Sequence, residues 1–223
     1  TSNPGKVTHF SDGTGSGVEV KEGTFDMYGG EITGNSASNG GGVYVWGGSK
    51  FDLYGGKISG NKVNNDGGGV CVAATGEFNM RGGEISGNIA ATYGGGVYVA
   101  TTGEFNMRGG TIGGAAADKA NKANKANYGG GVYVDGGGTL NMSGGEISVN
   151  TATSNGGGVY VGGSGSTFIM NGNASITDNT AKNGGGVGVY SGATFEMNGN
   201  ASITDNTATS NGGGVYEGGG KFN

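Results

Sequence analysis

The chain alternates apolar and polar residues in short runs that end in glycine. Within residues 41–67, three such runs are Val43–Val45, Phe51–Leu53 and Lys57–Ser59. Alternation with a period of two over so few residues is typical of β-strands with one buried face, and the glycines between the runs mark turns. No window has the three- and four-residue spacing of an amphipathic helix. The pattern therefore predicts an all-β protein with three short strands in each unit.

The same unit recurs along the whole chain. The first valine of its Gly-Gly-Gly-Val-Tyr-Val motif returns at intervals of 25 to 28 residues, with one interval of 35. These valines are Val18, Val43, Val70, Val97, Val132, Val159, Val187 and Val215. Such a period indicates a solenoid, because one unit is too small to bury its own apolar face. We predict a parallel β-helix of about seven coils of 27–28 residues over residues 18–223, preceded by a cap or partial coil over residues 1–17.

Alignment of the repeats places apolar residues in five columns, which should face inward. Two columns are valine, one is phenylalanine with a single leucine, one is methionine with a single leucine, and one is isoleucine. All six methionines of the chain fall in one of these columns. In the last coil Glu217 replaces an inward valine. Because a carboxylate is not buried without a partner, we expect this coil to be exposed at its end.

One further column is polar and follows each isoleucine by three residues. Its members are Asn35, Asn61, Asn88, Asn150, Asn179 and Asn206. Stacked one per coil, about 4.8 Å apart, asparagine side chains can hydrogen-bond to one another as a structural ladder. In the fourth coil Ala115 stands at this position, so we expect the ladder to be broken there, beside a loop insertion at about residues 113–128.

Composition and charge narrow the classes of partner. The net charge is −5, which argues against nucleic acid. The Lys-Ala-Asn triplets of the insertion are the one basic stretch, where an anionic partner would bind if anywhere. No apolar run approaches the ~20 residues of a membrane-spanning helix. The lone Cys71 gives no disulfide framework and no cysteine-based metal site, and we expect neither cofactor nor metal.

The repeats resemble those of bacterial surface proteins. Ile58–Asn61 (Ile-Ser-Gly-Asn) followed by Gly67–Val70 (Gly-Gly-Gly-Val) resembles the Phe-x-x-Asn and Gly-Gly-Ala-Ile repeats of polymorphic outer membrane protein passengers. It also resembles glycine-rich adhesin-like repeats, and the resemblance covers nearly the whole chain. It implies a right-handed β-helix, an extracellular or bacterial cell-surface location, and a glycan or a protein of a host or neighbouring cell as partner.

A column of outward aromatic residues is the candidate ligand-binding site. The assigned residues are Tyr44, Trp46, Tyr98, Tyr133 and Tyr160. Cys71 and Gly188 interrupt the column of tyrosines. Aromatic side chains give large contact areas at low entropic cost, so the column could bind a glycan or a protein. The alternative is that the rings stack on one another and stiffen the sheet. We expect a non-enzymatic, adhesin-like scaffold.

Three other functions stay open. A polysaccharide lyase or glycoside hydrolase would need paired carboxylates such as Asp26 and Asp52, which should lie on adjacent coils. That face looks flat and solvated, so no catalytic residue is assigned. An ice-binding surface would need a regular threonine array, of which Thr151, Thr180 and Thr207 are a part. Head-to-tail self-assembly would follow from unpaired strand edges at the coil ends.

Overall fold

Each strand pairs in parallel with its own counterpart one repeat away. In the computed structural model, which describes residues 5–7, 15–114 and 122–223, Val70 pairs with Val43 on one side and with Val97 on the other. The described residues form four parallel sheets of eight, eight, eight and seven strands. The predicted all-β solenoid is confirmed, with about eight coils.

Three of the sheets are those that the alternation predicts, and each is named here after its inward residue. The valine sheet consists of Val18–Val20, Val43–Val45, Val70–Val72, Val97–Val99, Val132–Val134, Val159–Val161, Val187–Tyr190 and Val215–Gly218. The phenylalanine sheet consists of Thr24–Met27, Lys50–Leu53, Glu77–Met80, Glu104–Met107, Thr139–Met142, Thr167–Met170, Thr194–Met197 and Lys221–Phe222. The isoleucine sheet consists of Lys6–Val7, Glu31–Thr33, Lys57–Ser59, Glu84–Ser86, Thr111–Gly113, Glu146–Ser148, Ser175–Thr177 and Ser202–Thr204.

A fourth sheet, the alanine sheet, occupies the stretch that reads as a polar loop in the sequence. It consists of Ser36–Ala37, Lys62–Val63, Ile89–Ala90, Lys125–Tyr128, Thr151–Asn155, Thr180–Asn183 and Thr207–Asn211. Each of these strands turns one small side chain inward, such as Ala90 or Ala126, both of which are buried. A single alanine between polar residues gives almost no alternation signal, which is why the sequence predicts three strands and not four.

The predicted inward columns form one continuous core. Phe78 is fully buried and stacks on Phe51 at 4.9 Å and on Phe105 at 4.6 Å between ring centroids. These distances match the spacing of about 4.8 Å between neighbouring strands, so phenylalanines of adjacent coils meet face to face, and the row is interrupted only where Leu140 takes the position. Glu217, paired in register with Val189, is exposed at the C-terminal coil as predicted.

The asparagine ladder runs along the corner between the isoleucine and alanine sheets. Asn61 donates from Nδ2 to Oδ1 of Asn88 at 3.0 Å and to the carbonyl of Ile32 at 3.1 Å. Its own Oδ1 accepts the backbone N–H and the Nδ2–H of Asn35 at 3.0 and 2.8 Å. The side chain is thus satisfied while buried, where an unpaired amide would cost about 1–3 kcal/mol. The predicted ladder is confirmed.

The prediction that the ladder is broken in the fourth coil is wrong. Asn124 fills the position, accepting from Nδ2 of Asn88 at 3.0 Å and donating to Oδ1 of Asn150 at 2.8 Å. Ala115 lies outside the described residues, as do residues 116–121. Because the Lys-Ala-Asn triplets repeat, one of their asparagines, Asn124, lies at the corner of the ladder, and one of their alanines, Ala126, lies in the core. Residues 122–128 of the predicted loop therefore belong to the solenoid.

The Gly-Gly-Gly motif makes the tight corner that precedes each valine strand. Gly129 has a φ of +63°, and a Cβ there would lie 2.4 Å from the carbonyl oxygen of Val132. At Gly130 a Cβ would lie 2.6 Å from the carbonyl oxygen of Gly157 in the next coil. The first glycine thus supplies a left-handed backbone conformation, and the second permits close approach of adjacent coils.

The N-terminal segment is described only in part. Within residues 1–17 the structure describes residues 5–7 and 15–17. Val7 pairs with Ile32 and so adds a strand to the isoleucine sheet. The cap over residues 1–17 stays a prediction.

Candidate binding site

The outward side chains of the valine sheet form two aromatic groups. Alternate residues of a strand face outward, so Tyr44, Cys71 and Tyr98, which are in register, share one column. Cys71 separates the two groups. The first group, the tyrosine stack, consists of Tyr93, Tyr98, Tyr128, Tyr133, Tyr160, Tyr190 and Tyr216. The second group, the Tyr44–Trp46 corner, lies on the N-terminal side of Cys71.

From Tyr133 to Tyr190 the rings of the tyrosine stack lie face to face. Tyr133 and Tyr160 are 4.7 Å apart between centroids with planes inclined by 5°, and Tyr160 and Tyr190 are 4.8 Å apart at 11°. Tyr133 keeps only 8% of its surface exposed. Neighbouring tyrosines therefore cover the ring faces and leave little ring surface for a ligand.

The gap that the sequence shows at Gly188 is filled in the structure. Tyr190, two residues later, turns its ring over Gly188, where a Cβ would lie 2.8 Å from Cε2 of Tyr190. This ring continues the stack from Tyr160 and lies 5.6 Å from the ring of Tyr216. The tyrosine column therefore runs on without an interruption at this coil.

Two members of the tyrosine stack come from outside the valine sheet. Tyr93 and Tyr128 precede Gly-Gly-Gly motifs, and the glycine corner brings them beside the column. The ring centroid of Tyr93 lies 4.4 Å from that of Tyr133, and Tyr128 meets Tyr160 edge-on at 5.6 Å. Alternation along the valine strands does not indicate these two residues, although a tyrosine directly before the glycines in two successive coils is a usable signal.

Burial keeps the tyrosine hydroxyls protonated. Loss of solvation raises the pKa of Tyr133 and that of Tyr98, whose hydroxyl also donates to Oδ2 of Asp135 at 2.9 Å. Burial likewise raises the pKa of Tyr160 to about 12. The pKa of the Cys71 thiol is raised by burial to about 12, so this thiol is not a ready nucleophile.

The Tyr44–Trp46 corner is more open than the tyrosine stack. Trp46 is 43% exposed, and its ring centroid lies 4.9 Å from that of Tyr44 with the planes inclined by 50°. In the next coil the residue aligned with Trp46 is Ala73, whose side chain is a single methyl group. On the preceding coil Nζ of Lys21 lies 5.9 Å from the Trp46 centroid.

Both aromatic rings of the corner border an open cavity of about 240 Å³. Its polar lining includes Ser16, Glu19 and Asn39. The Ser16 hydroxyl donates to the Asn39 carbonyl at 3.3 Å, and the Glu19 carboxylate lies 3.1 Å from Nζ of Lys21. Aromatic surface beside a few polar side chains is the usual composition of a site for a small polar ligand.

The structure divides the five predicted aromatic residues between the two groups. Tyr44 and Trp46 line the cavity, whereas Tyr98, Tyr133 and Tyr160 belong to the tyrosine stack. The sequence places the four tyrosines in one outward column, with Trp46 beside it two positions on. The structure brings only two of the five to a concave surface.

The carboxylate pair considered for catalysis is adjacent but not free. Asp26 and Asp52 are in register, as predicted. Asp52, however, is only 6% exposed, and its Oδ1 accepts a hydrogen bond from Nδ2 of Asn79 at 2.8 Å. Its Oδ2 lies 3.7 Å from Nζ of Lys50. The expectation of a solvated face is wrong for Asp52, which begins a hydrogen-bonded column that continues through Asn79 to Asn106.

The threonine array is confined to the last coils. Thr151, Thr180 and Thr207 are in register on the alanine sheet. The same column begins with Ser36 and continues through Lys62, Ile89 and Lys125 before it reaches Thr151. The flat, regular threonine face that ice binding requires is therefore absent from the earlier coils. Among the described residues no three metal-ligating side chains come together.

Fold and ladders define the class: the chain is a parallel β-solenoid repeat protein with a buried asparagine ladder. No known protein family, curated protein or solved structure matches it. The resemblance to polymorphic outer membrane proteins stays a prediction from the motifs. Within the described part of the chain there is no helix with the length and apolarity to span a membrane.

Proposed function

We propose that the protein is a non-enzymatic, adhesin-like scaffold of the extracellular space or the bacterial cell surface, and that it binds a glycan at the Tyr44–Trp46 corner. The observation that carries this proposal is the open cavity in which two aromatic rings lie beside a carboxylate and an amide. Sugar rings present apolar C–H faces to aromatic rings and hydroxyl groups to polar side chains. Trp46 with Glu19 and Asn39 offers both kinds of contact.

The rest of the solenoid serves this site as a rigid support. Hydrogen bonds of the asparagine ladder link successive coils from Asn35 to Asn206. Stacked phenylalanines hold the same coils together from within. Because a binding group held by packed neighbours loses little conformational entropy when a ligand arrives, such a support favours affinity.

A glycan-array screen of the intact chain and of Trp46→Ala tests the proposal. We expect the wild-type protein to bind a subset of neutral glycans and Trp46→Ala to lose at least about tenfold in affinity, since stacking on an aromatic anchor is worth about 1–2 kcal/mol or more. Trp46→Phe should retain part of the binding, because it keeps an aromatic face.

Tyr216→Ala is the matched control, because it removes an aromatic ring from the same sheet at the far end of the tyrosine stack. Its glycan binding should equal that of the wild type. Equal losses in Trp46→Ala and Tyr216→Ala, or no glycan bound by any form, would contradict the proposal. If the Trp46 site bound a protein instead of a glycan, the location of the binding site would stand and the proposed class of ligand would be wrong.

A further inference from the structure

We propose that a second surface of the solenoid, the Tyr–Arg column, binds an anionic polysaccharide. The Tyr–Arg column consists of Tyr28, Tyr54, Arg81 and Arg108, each of which follows a strand of the phenylalanine sheet. It lies on a different sheet from the Tyr44–Trp46 corner and goes beyond the function proposed there.

Backbone pairing aligns the four side chains, one from each successive coil. The N–H groups of Tyr54, Arg81 and Arg108 donate to the carbonyls of Met27, Leu53 and Met80 in the preceding coils, at 2.9, 2.8 and 2.8 Å. The four Cα atoms are therefore spaced by about 4.8 Å along the solenoid axis. A straight row with this regular spacing suits an extended polymer.

The aromatic half of the column is exposed. Tyr28 and Tyr54 stack at 4.7 Å with planes inclined by 8°, and they are 72% and 39% exposed. Tyr133 in the tyrosine stack is 8% exposed, by comparison. The guanidinium carbon of Arg81 lies 5.5 Å from the Tyr54 ring centroid. This cation–π contact joins the aromatic half of the column, Tyr28 and Tyr54, to its basic half, Arg81 and Arg108.

The basic half places two guanidinium groups on adjacent coils. Arg81 and Arg108 are both exposed, and among the described residues neither has a carboxylate within ion-pair distance. Lys50 and Lys57, in contrast, each pair with a glutamate. Like charges on neighbouring strands repel each other. A carboxylate or sulfate group between the two guanidinium groups removes this repulsion and can accept paired hydrogen bonds.

The surrounding charges limit the ligand to one with spaced anionic groups. At the tyrosine end the exposed Asp26 raises the pKa of Tyr28, so negative charge is unfavourable there. Near the arginine end the Glu77 carboxylate accepts a hydrogen bond from Asn79 and pairs with Lys50, and Arg108 attracts it at longer range. A nucleic acid, with a phosphate at every nucleotide, would meet these carboxylates as well as a net charge of −5. Tyr54 is covered by Tyr28 on one face and by Arg81 on the other, so a sugar ring can stack only on the outer face of Tyr28, which is 72% exposed. A polymer with a sugar ring on this face and an acidic group at the arginines fits both halves of the column.

Affinity for defined polymers tests the proposal. The probes are polygalacturonate, which carries carboxylates, dextran sulfate, which carries sulfates, and unmodified dextran. We expect the wild-type chain to bind one or both anionic polymers and not dextran, with an affinity that falls as salt is added. The double variant Arg81→Gln/Arg108→Gln should lose at least about tenfold in affinity, and Tyr28→Ala should lose several-fold.

A matched double variant, Lys62→Gln/Lys182→Gln, removes the same charge from exposed positions on the alanine sheet, outside the Lys-Ala-Asn triplets. It should bind as the wild type does. An equal loss in both double variants, binding to dextran alone, or stronger binding to single-stranded DNA or polyglutamate would overturn the proposal. Trp46→Ala should keep full affinity for the anionic polymer, so failure of this site and failure of the Tyr44–Trp46 corner are distinguishable.

Discussion

The tyrosine stack and the Tyr44–Trp46 corner use the same kinds of residue on the same sheet, yet they offer different surfaces to a ligand. In the tyrosine stack each ring meets another aromatic ring one coil away, as Tyr133 meets Tyr160 at 4.7 Å. In the coil next to the corner, Cys71 is aligned with Tyr44 and Ala73 with Trp46, so no aromatic ring of that coil covers the corner. In a solenoid, the residue one repeat away therefore decides whether an aromatic side chain supports the fold or faces a ligand.

The largest difference between the two groups should be in stability. Tyr133→Ala removes a buried ring between Tyr98 and Tyr160 and should lower the free energy of unfolding by about 3 kcal/mol. Trp46→Ala removes a half-exposed ring and should cost about 1 kcal/mol or less. Denaturant unfolding of both variants measures the two losses. Equal losses would show that the two groups do not differ in the way the geometry implies.

An intermediate loss of stability should follow when a side chain is added at Gly188, under the ring of Tyr190. Gly188→Ala places a methyl group against the Tyr190 ring and should cost about 1–3 kcal/mol by displacing this ring from the stack. In a Tyr190→Ala background the same change should cost much less, because the ring is gone. Gly29→Ala is the control, since a Cβ there meets nothing within 4 Å. Additive losses in the double variant would rule out the contact.

The smallest effect should be a dependence on alkaline pH that belongs to the tyrosine stack. The pKa of Tyr160 is about 12 in the folded protein, above the value of about 10 for an unfolded chain. Between these values the tyrosine of the unfolded state has already lost its proton, so the contribution of Tyr160 to stability is fully present below about pH 10 and is lost as pH rises toward 12. Tyr160→Phe should show a shallower fall in urea-unfolding experiments, whereas Trp46→Ala should keep the wild-type slope. A steeper fall in Tyr160→Phe would contradict the assignment.

Much of the fold could be predicted because the solenoid repeats its own pattern. A column of identical residues, such as the valines or the asparagines, is visible in the sequence before any contact is known. The sequence does not indicate Asn124, because the insertion moves this asparagine beyond the three-residue distance from the isoleucine at which the other ladder residues lie. The alanine sheet was missed because its strands bury one small side chain each.

The candidate site was harder to predict than the fold. Tyr44 and Trp46 were identified as aromatic residues, but so were Tyr98, Tyr133 and Tyr160, and the sequence treats all five alike. The repeats place Tyr28, Tyr54, Arg81 and Arg108 at one position of successive coils, but the sequence gives no sign that Tyr28 stays exposed or that Arg81 covers Tyr54. Exposure depends on side-chain direction and on neighbours that lie 25 or more residues away in the chain.

By itself the sequence determined the coil length, the inward columns and the asparagine ladder, because these depend only on which residue types recur at one spacing. Only the tertiary structure decided that Tyr190 covers Gly188, that Asn124 restores the ladder and that Trp46 borders a cavity. The physical reason is that repetition dictates which residues stack. The direction of each outward side chain depends instead on the space that its neighbours in adjacent coils leave for it.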